Sequence, residues 1–207
     1  MPYLVEGSQA LASMDPVMGD LFARHGPMQV PTRPTVARRF EAIARTIAFQ
    51  QLAGKAAASI WGRVEALAGG GPFTPALVLA LDTADLRGAG LSGAKAAAIV
   101  DLAWQVDSGT VRLDRVGRMT DDAVVGELVK VRGVGPWTAH MFLMFELHRA
   151  DVWPTGDYGV RAGYREAYHL AELPTPKQLE ALGARFRPYR SIAAWYCWRA
   201  VDTTLPD

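Results

Sequence analysis

Along this chain apolar residues recur three and four positions apart, and alternation with a period of two is almost absent. That spacing predicts an all-α chain. Val17, Leu21 and Phe22 share one helical face between Asp15-Pro16 and the Gly26-Pro27 stop. Pro31 and Pro34 hold a non-helical connection. Thr35 stands where it can cap a helix carrying Phe40, Ile43, Ala44 and Ile47. A further stretch through Ile60, Val64 and Leu67 runs into Gly69-Gly70-Gly71-Pro72, a run that ends helices. Thr74-Pro75, Ser92, Thr120 and Thr175-Pro176 each place an N-cap residue ahead of an apolar-periodic segment, twice with proline at the tolerated first helical position. No fixed-period repeat and no flexible linker is visible, so composition alone draws no domain boundary.

Length and composition bound the scheme. With 207 residues, 50% hydrophobic and 21% charged, the chain can bury one sizeable core or two small ones sharing an interface. No apolar run reaches the roughly 18 residues of a membrane span, so a membrane partner is not expected. Met1 to Ala12 lack the layout of a secretory signal, which makes the cytoplasm the default location, and the nucleoid for a bacterial source. The single Cys197 excludes an intrachain disulfide and a four-cysteine zinc or iron-sulfur site. The histidines, at 25, 140, 148 and 169, have no metal-binding spacing. A net charge of +1 neither demands nor forbids nucleic acid, but the distribution is informative. Lys130, Arg132, His148, Arg149, Arg161 and Arg165 are grouped around one short glycine motif.

That motif lies in Leu128-Val129-Lys130-Val131-Arg132-Gly133-Val134-Gly135-Pro136-Trp137-Thr138-Ala139. One helix ends, Gly133-Val134-Gly135 makes a tight turn, and a second helix begins at once. The new helix turns backbone N–H groups outward at its positive end, which suits a phosphate, although such a corner also serves simply to pack two helices. Downstream, Pro154-Thr155-Gly156-Asp157-Tyr158-Gly159-Val160-Arg161 breaks the chain and restarts a helix. Asp157 falls at that start, either as a plain N-cap or as a carboxylate held ionised for a site needing fixed negative charge.

Together, G-V-G-P-W-T-A and P-T-G-D-Y-G-V, one helix and a short connection apart, resemble the helix-hairpin-helix plus Gly/Pro...Asp signature of the DNA glycosylase superfamily. Within it, the chain is most similar to the alkylbase branch, the DNA-3-methyladenine glycosylase II type. The similarity runs from Phe49-Gln50-Gln51-Leu52-Ala53 through Gly88-Ala89-Gly90-Leu91-Ser92 to Arg190-Ser191 and Trp198. Two departures stand out. The chain is too short for the extra β-rich domain of some members, and the pocket position matched to Met141 is aromatic in some relatives.

The resemblance implies two helical lobes with the active-site cleft between them. One lobe would comprise 1–38 plus 151–207, the other 39–150, with the hairpin at about 120–150. It implies a monofunctional N-glycosyl hydrolase of base excision repair, acting as a monomer on double-stranded DNA and flipping out alkylated purines such as 3-methyladenine and 7-methylguanine. Asp157 would stabilise the positive charge that develops on the sugar. Trp137, Met141, Tyr158 and Trp198 would build the base pocket, whose electron-rich rings favour a cationic base. Gly133, Gly135 and Thr138 would present backbone or hydroxyl donors to DNA phosphates, and Gln51 would fill the gap left by the flipped nucleotide. No cofactor and no iron-sulfur cluster are implied, only a structural Na or K ion held by the carbonyls of Val129, Val131 and Val134. Bifunctional members carry a lysine where this chain has Trp137. Cys197, among Trp195, Tyr196 and Trp198, reads as a core residue. Two other readings remain: a glycosylase for deaminated, etheno or mismatched bases, and a non-catalytic DNA-binding module using the hairpin alone.

Overall fold

The computed structural model describes residues 2–30, 35–52 and 54–201. Pro31, Pro34 and Ala53, which figure in the sequence reading, lie outside them. Every regular element among the described residues is helical, and none of these helices is long and apolar enough to cross a membrane. The described chain forms two compact units, one from residues 2–30 with 148–201 and the other from 35–52 with 54–147.

The first unit begins with α1 (Pro2–Met14) and α2 (Pro16–His25), packed side by side. Asp15 between them caps α2 by accepting the Met18 amide at 3.1 Å, and the same oxygen accepts the Tyr168 hydroxyl at 2.8 Å. Gly26, at φ 71°, closes α2.

The second unit holds α3 (Arg39–Phe49), α4 (Gly54–Ala66), α5 (Pro75–Ala80), α6 (Thr83–Gly88), α7 (Gly93–Asp107), α8 (Asp121–Leu128) and α9 (Pro136–Met141). Three of the expected hydroxyl caps are present: Thr74 accepts from Leu77, Ser92 from Lys95 and Thr120 from Ala123. Each such cap contributes about 1 kcal/mol. Thr35 behaves otherwise. It precedes a single 3-10 turn, Val36–Arg38, without a side-chain cap, and α3 starts only at Arg39. The delay places the Arg39 guanidinium inside the unit, where it donates to the Leu113 carbonyl at 2.7 Å. Ile43, Ala44, Ile47, Ile99, Leu102 and Leu128 are among the residues that fill the core. After Met141 the helix widens into a π-type turn, Phe142–Glu146.

The chain then returns to the first unit with α10 (Tyr158–Ala167), α11 (Pro176–Gly183) and α12 (Arg190–Ala200). Thr175 caps α11 in a reciprocal box with Gln178. α10 and α12 lie in close contact because Gly159 and Gly163 fall four residues apart on one face of α10. A Cβ on Gly163 would lie 1.7 Å from the Cys197 carbonyl oxygen, so the two backbones touch where any side chain would part them.

Candidate functional site

The expected site residues are distributed over both units, and each set is held by local devices of its own.

In the first unit, the segment before α10 is fixed at both ends. At its start, the buried Arg190 grips Asp151 with Nε donating to Oδ1 at 2.8 Å and a terminal nitrogen donating to the Asp151 carbonyl, also at 2.8 Å. Ser191 Oγ accepts the Val152 amide at 2.9 Å and donates to the Arg149 carbonyl at 2.6 Å. Trp153 packs over Gly183, whose Cβ would fall 2.2 Å from the indole nitrogen, and donates that N–H to the Leu179 carbonyl at 2.8 Å. A turn closed by the Asp157 amide on the Pro154 carbonyl, 2.9 Å, then delivers Asp157 to the N-cap of α10.

Asp157 Oδ1 accepts two hydrogen bonds, from the Val160 amide at 2.7 Å and from Trp198 Nε1 at 2.8 Å. The first is the ordinary N-cap bond. The second comes from α12 and exists because Gly159 has no side chain: a Cβ there would lie 2.7 Å from Trp198 Cδ1 and 3.1 Å from Asp157 Oδ1. Trp198 is 2% exposed, whereas Tyr158, the neighbour of Asp157, is 70% exposed. Two of the three rings expected to line a base pocket therefore differ. Tyr158 offers an open face, and Trp198 is packed away with its N–H engaged on the carboxylate. Cys197 is fully buried, and burial, then the charge of nearby Asp157, push its thiol up. It is a core thiol and no nucleophile.

In the second unit, the α8–α9 hairpin contains one residue whose backbone requires glycine. Gly133 has φ 73°, and a Cβ there would touch Ala98 at 3.4 Å. Gly135 is different: at φ −100° and ψ 177° it is extended backbone, and an added Cβ would meet nothing within 4 Å. Its glycine leaves α9 without a side-chain cap and the space before the helix open. Two side chains tether the turn. Asp101 of α7 accepts the Arg132 amide at 2.7 Å, and Gln50, just past α3, donates from Nε2 to the Gly133 carbonyl at 3.2 Å and to Thr138 Oγ1 at 2.9 Å.

Thr138 is expected to offer a backbone or hydroxyl donor to DNA phosphate, and its hydroxyl oxygen here accepts from Gln50. The residue is 3% exposed. Trp137 is 36% exposed and Met141 is buried. Gln51 is exposed with φ 55°, a left-handed conformation that costs a non-glycine residue on the order of 1 kcal/mol. Lys130, one of the basic residues near the hairpin, is paired with Glu127 at 2.5 Å. Sequence reasoning missed Gln50 and Lys95. Lys95 Nζ donates to the carbonyls of Ala48 and Gln50 at 2.8 and 2.6 Å, and burial pushes its pKa down. Nothing in linear spacing ties either residue to the hairpin.

The sequence pattern of the HhH-GPD superfamily of base excision DNA repair proteins matches residues 44–188. DNA-3-methyladenine glycosylase 1 of Schizosaccharomyces pombe is 32% identical over 172 residues, which cover 81% of this chain and 75% of that protein. The structure of the fission-yeast 3-methyladenine DNA glycosylase in complex with abasic DNA aligns with a TM-score of 0.84 at 29% identity, covering 94% of this chain and 95% of that one. The crystal structure of a DNA-3-methyladenine glycosidase from Bacillus halodurans aligns with a TM-score of 0.81 at 32% identity, over 95% of this chain and 89% of that one.

Proposed function

This chain belongs to the HhH-GPD superfamily of base excision DNA repair proteins, and from that premise we propose that it is a monofunctional DNA glycosylase that hydrolyses the N-glycosidic bond of alkylated purines in double-stranded DNA. The observation that carries the reading is the Asp157 carboxylate, fixed at a helix start by Val160 and Trp198 and followed by an exposed aromatic ring.

Hydrolysis breaks the bond between the sugar C1′ and the purine nitrogen, and the electron pair leaves with the base. A purine alkylated at N3 or N7 is cationic, departs as a neutral molecule, and needs no acid. The sugar becomes oxocarbenium-like, and Asp157 stabilises that charge. A water oxygen then bonds to C1′ and gives up its proton, which the carboxylate can accept. Such chemistry requires the nucleotide outside the stack. Tyr158 supplies an open ring for a cationic base. The hairpin backbone around Gly133 and Gly135 takes the phosphates, and Gln51 fills the vacated position. Trp137 stands where a Schiff-base lysine would be needed, so the strand is left uncleaved. A structural Na or K ion fits the neutral carbonyls of Val129, Val131 and Val134. The Val131 oxygen accepts the Val134 amide at 3.1 Å and keeps a second lone pair. The protein acts as a monomer.

Incubating the protein with duplex DNA bearing 3-methyladenine and 7-methylguanine, and analysing released bases, tests the reading. Free methylated purines and intact abasic strands are expected, with no borohydride-trapped adduct. DNA retained with no base released would make the chain a binding module. Release of uracil or etheno bases in place of methylated ones would assign it to another lesion class.

A further inference from the structure

Gln51 is one of three non-glycine residues with positive φ among the described residues, and it is exposed at the corner after α3. Strained backbone of this kind persists where its surroundings over-determine it. The residue before it is anchored by backbone and side chain alike. Lys95, in the first turn of α7, donates to the carbonyls of Ala48 and Gln50, which the end of α3 would otherwise leave to solvent, and its charge complements the negative end of that helix. The Gln50 side chain meanwhile spans from α3 to the hairpin, bonding the Gly133 carbonyl and the Thr138 hydroxyl oxygen. The hairpin turn and the corner that carries Gln51 are thus joined through the Gln50 side chain, while Lys95 fastens the backbone of that corner to α7.

We propose that Gln50 and Lys95 are positioning residues for base extrusion: they hold Gln51 in its left-handed conformation and in register with the hairpin, so that gripping the backbone and filling the vacated stack occur as one event. The inference rests on the gap-filling reading of Gln51. Hairpin glycines govern how well any duplex is bound, whereas these two residues govern whether the bound nucleotide stays outside the helix.

The test uses the full chain and a duplex with one 7-methylguanine beside 2-aminopurine, paired with cytosine or placed opposite an abasic residue. Gln50→Met and Lys95→Met should lower the 2-aminopurine signal and single-turnover release roughly tenfold on the paired lesion, the scale of one or two lost hydrogen bonds. The loss should shrink below about threefold where the lesion has no partner to leave, and any loss of binding to undamaged duplex should be smaller than the loss of release on the paired lesion. Added to Gln51→Ala, either change should cost less than about twofold more, because all three act on one step. Normal release by both variants, with Gln51→Ala impaired, would overturn the proposal. So would equal losses on both duplexes that multiply with Gln51→Ala. Wild-type release by Gln51→Ala would instead sink the gap-filling reading itself. Should Lys95→Met fail to fold, Gln50→Met decides the question by the same criteria.

Discussion

The surroundings of Asp157 and those of the hairpin solve the same problem, holding a functional group still, by opposite means. Around Asp157 the means is backbone packing. α10 lies against α12 closely enough that Gly163 touches the Cys197 carbonyl, and the Trp198 indole reaches Oδ1 only across the hydrogen of Gly159. Around the hairpin the means is polar tethering. Asp101, Gln50 and Lys95 span gaps between elements with hydrogen bonds of 2.6–3.2 Å. Packing of the first kind tolerates no added atom and leaves no freedom, which suits the role proposed for Asp157, a charge that meets a transition state. Tethers of the second kind suit the role proposed for the hairpin, a loop that meets a deformable duplex. The difference predicts that small additions will be ruinous in one region and mild in the other.

Gly163→Ala is the sharpest way to break that contrast. A Cβ at 1.7 Å from a backbone carbonyl cannot be absorbed by a side-chain rotation. The first unit should lose about 4 kcal/mol, at the upper end for a single substitution, or fail to fold. Urea melting measures it. Stability within about 1 kcal/mol of wild type would mean that the helices can part cheaply, and the packing argument would fall. Asp157→Asn comes next. It keeps the shape and removes the charge, so base release should drop by at least about two orders of magnitude, with binding to damaged duplex nearly unchanged. Single-turnover release set against binding isotherms separates the two effects, and near-normal release would return Asp157 to a plain helix cap.

Much of this was legible in the sequence, and where it was not the reason is physical. Thr74, Ser92, Thr120 and Thr175 cap helices as read, because an N-cap bond links residues three apart and depends on little else. Thr35 does not, because burial of Arg39 against the Leu113 carbonyl, 74 residues away in the chain, sets where α3 begins. Asp157 at a helix start followed from its neighbours, but its bond to Trp198 spans 41 residues and left no local trace. The Gly159 and Gly163 spacing does carry a signal, two glycines on one helix face, that cap residues do not report. Gln50 and Gln51 are alike in sequence, and only the turn decides that one faces the hairpin and the other solvent.

On the tethered side, the two hairpin glycines divide the question. Gly133→Ala forces a side chain onto a left-handed backbone beside Ala98, a strain of about 1 kcal/mol or somewhat more, and should weaken binding to damaged and undamaged duplex alike by roughly tenfold. Gly135→Ala leaves the turn undistorted, so any loss must come from the methyl group meeting the DNA backbone. Melting curves should therefore move for Gly133→Ala and stay put for Gly135→Ala, while salt-dependent binding reports both. A melting shift of equal size in the two variants would show that the extended conformation at Gly135 is itself constrained.

The smallest expected effect concerns selectivity, and it asks which aromatic ring meets the base. Trp198 is buried and bonded to Asp157. Trp198→Phe keeps most of the ring and deletes the donor, so release should fall by about tenfold, the worth of a hydrogen bond to a charged group. The fall should be equal for cationic 7-methylguanine and neutral hypoxanthine, because a loosened carboxylate harms any glycosidic bond. Tyr158, with its ring in the open, should behave differently. Tyr158→Leu retains apolar bulk and loses the quadrupole, which at an exposed site is worth about 0.5–1 kcal/mol toward a cation. The ratio of 7-methylguanine to hypoxanthine release should then drop about two- to fivefold. Saturating single-turnover assays on both substrates give the ratio without interference from binding. If the ratio moves with Trp198→Phe and not with Tyr158→Leu, the buried indole must swing out to meet the base, and the rigid packing of α12 against α10 would have to yield during the reaction.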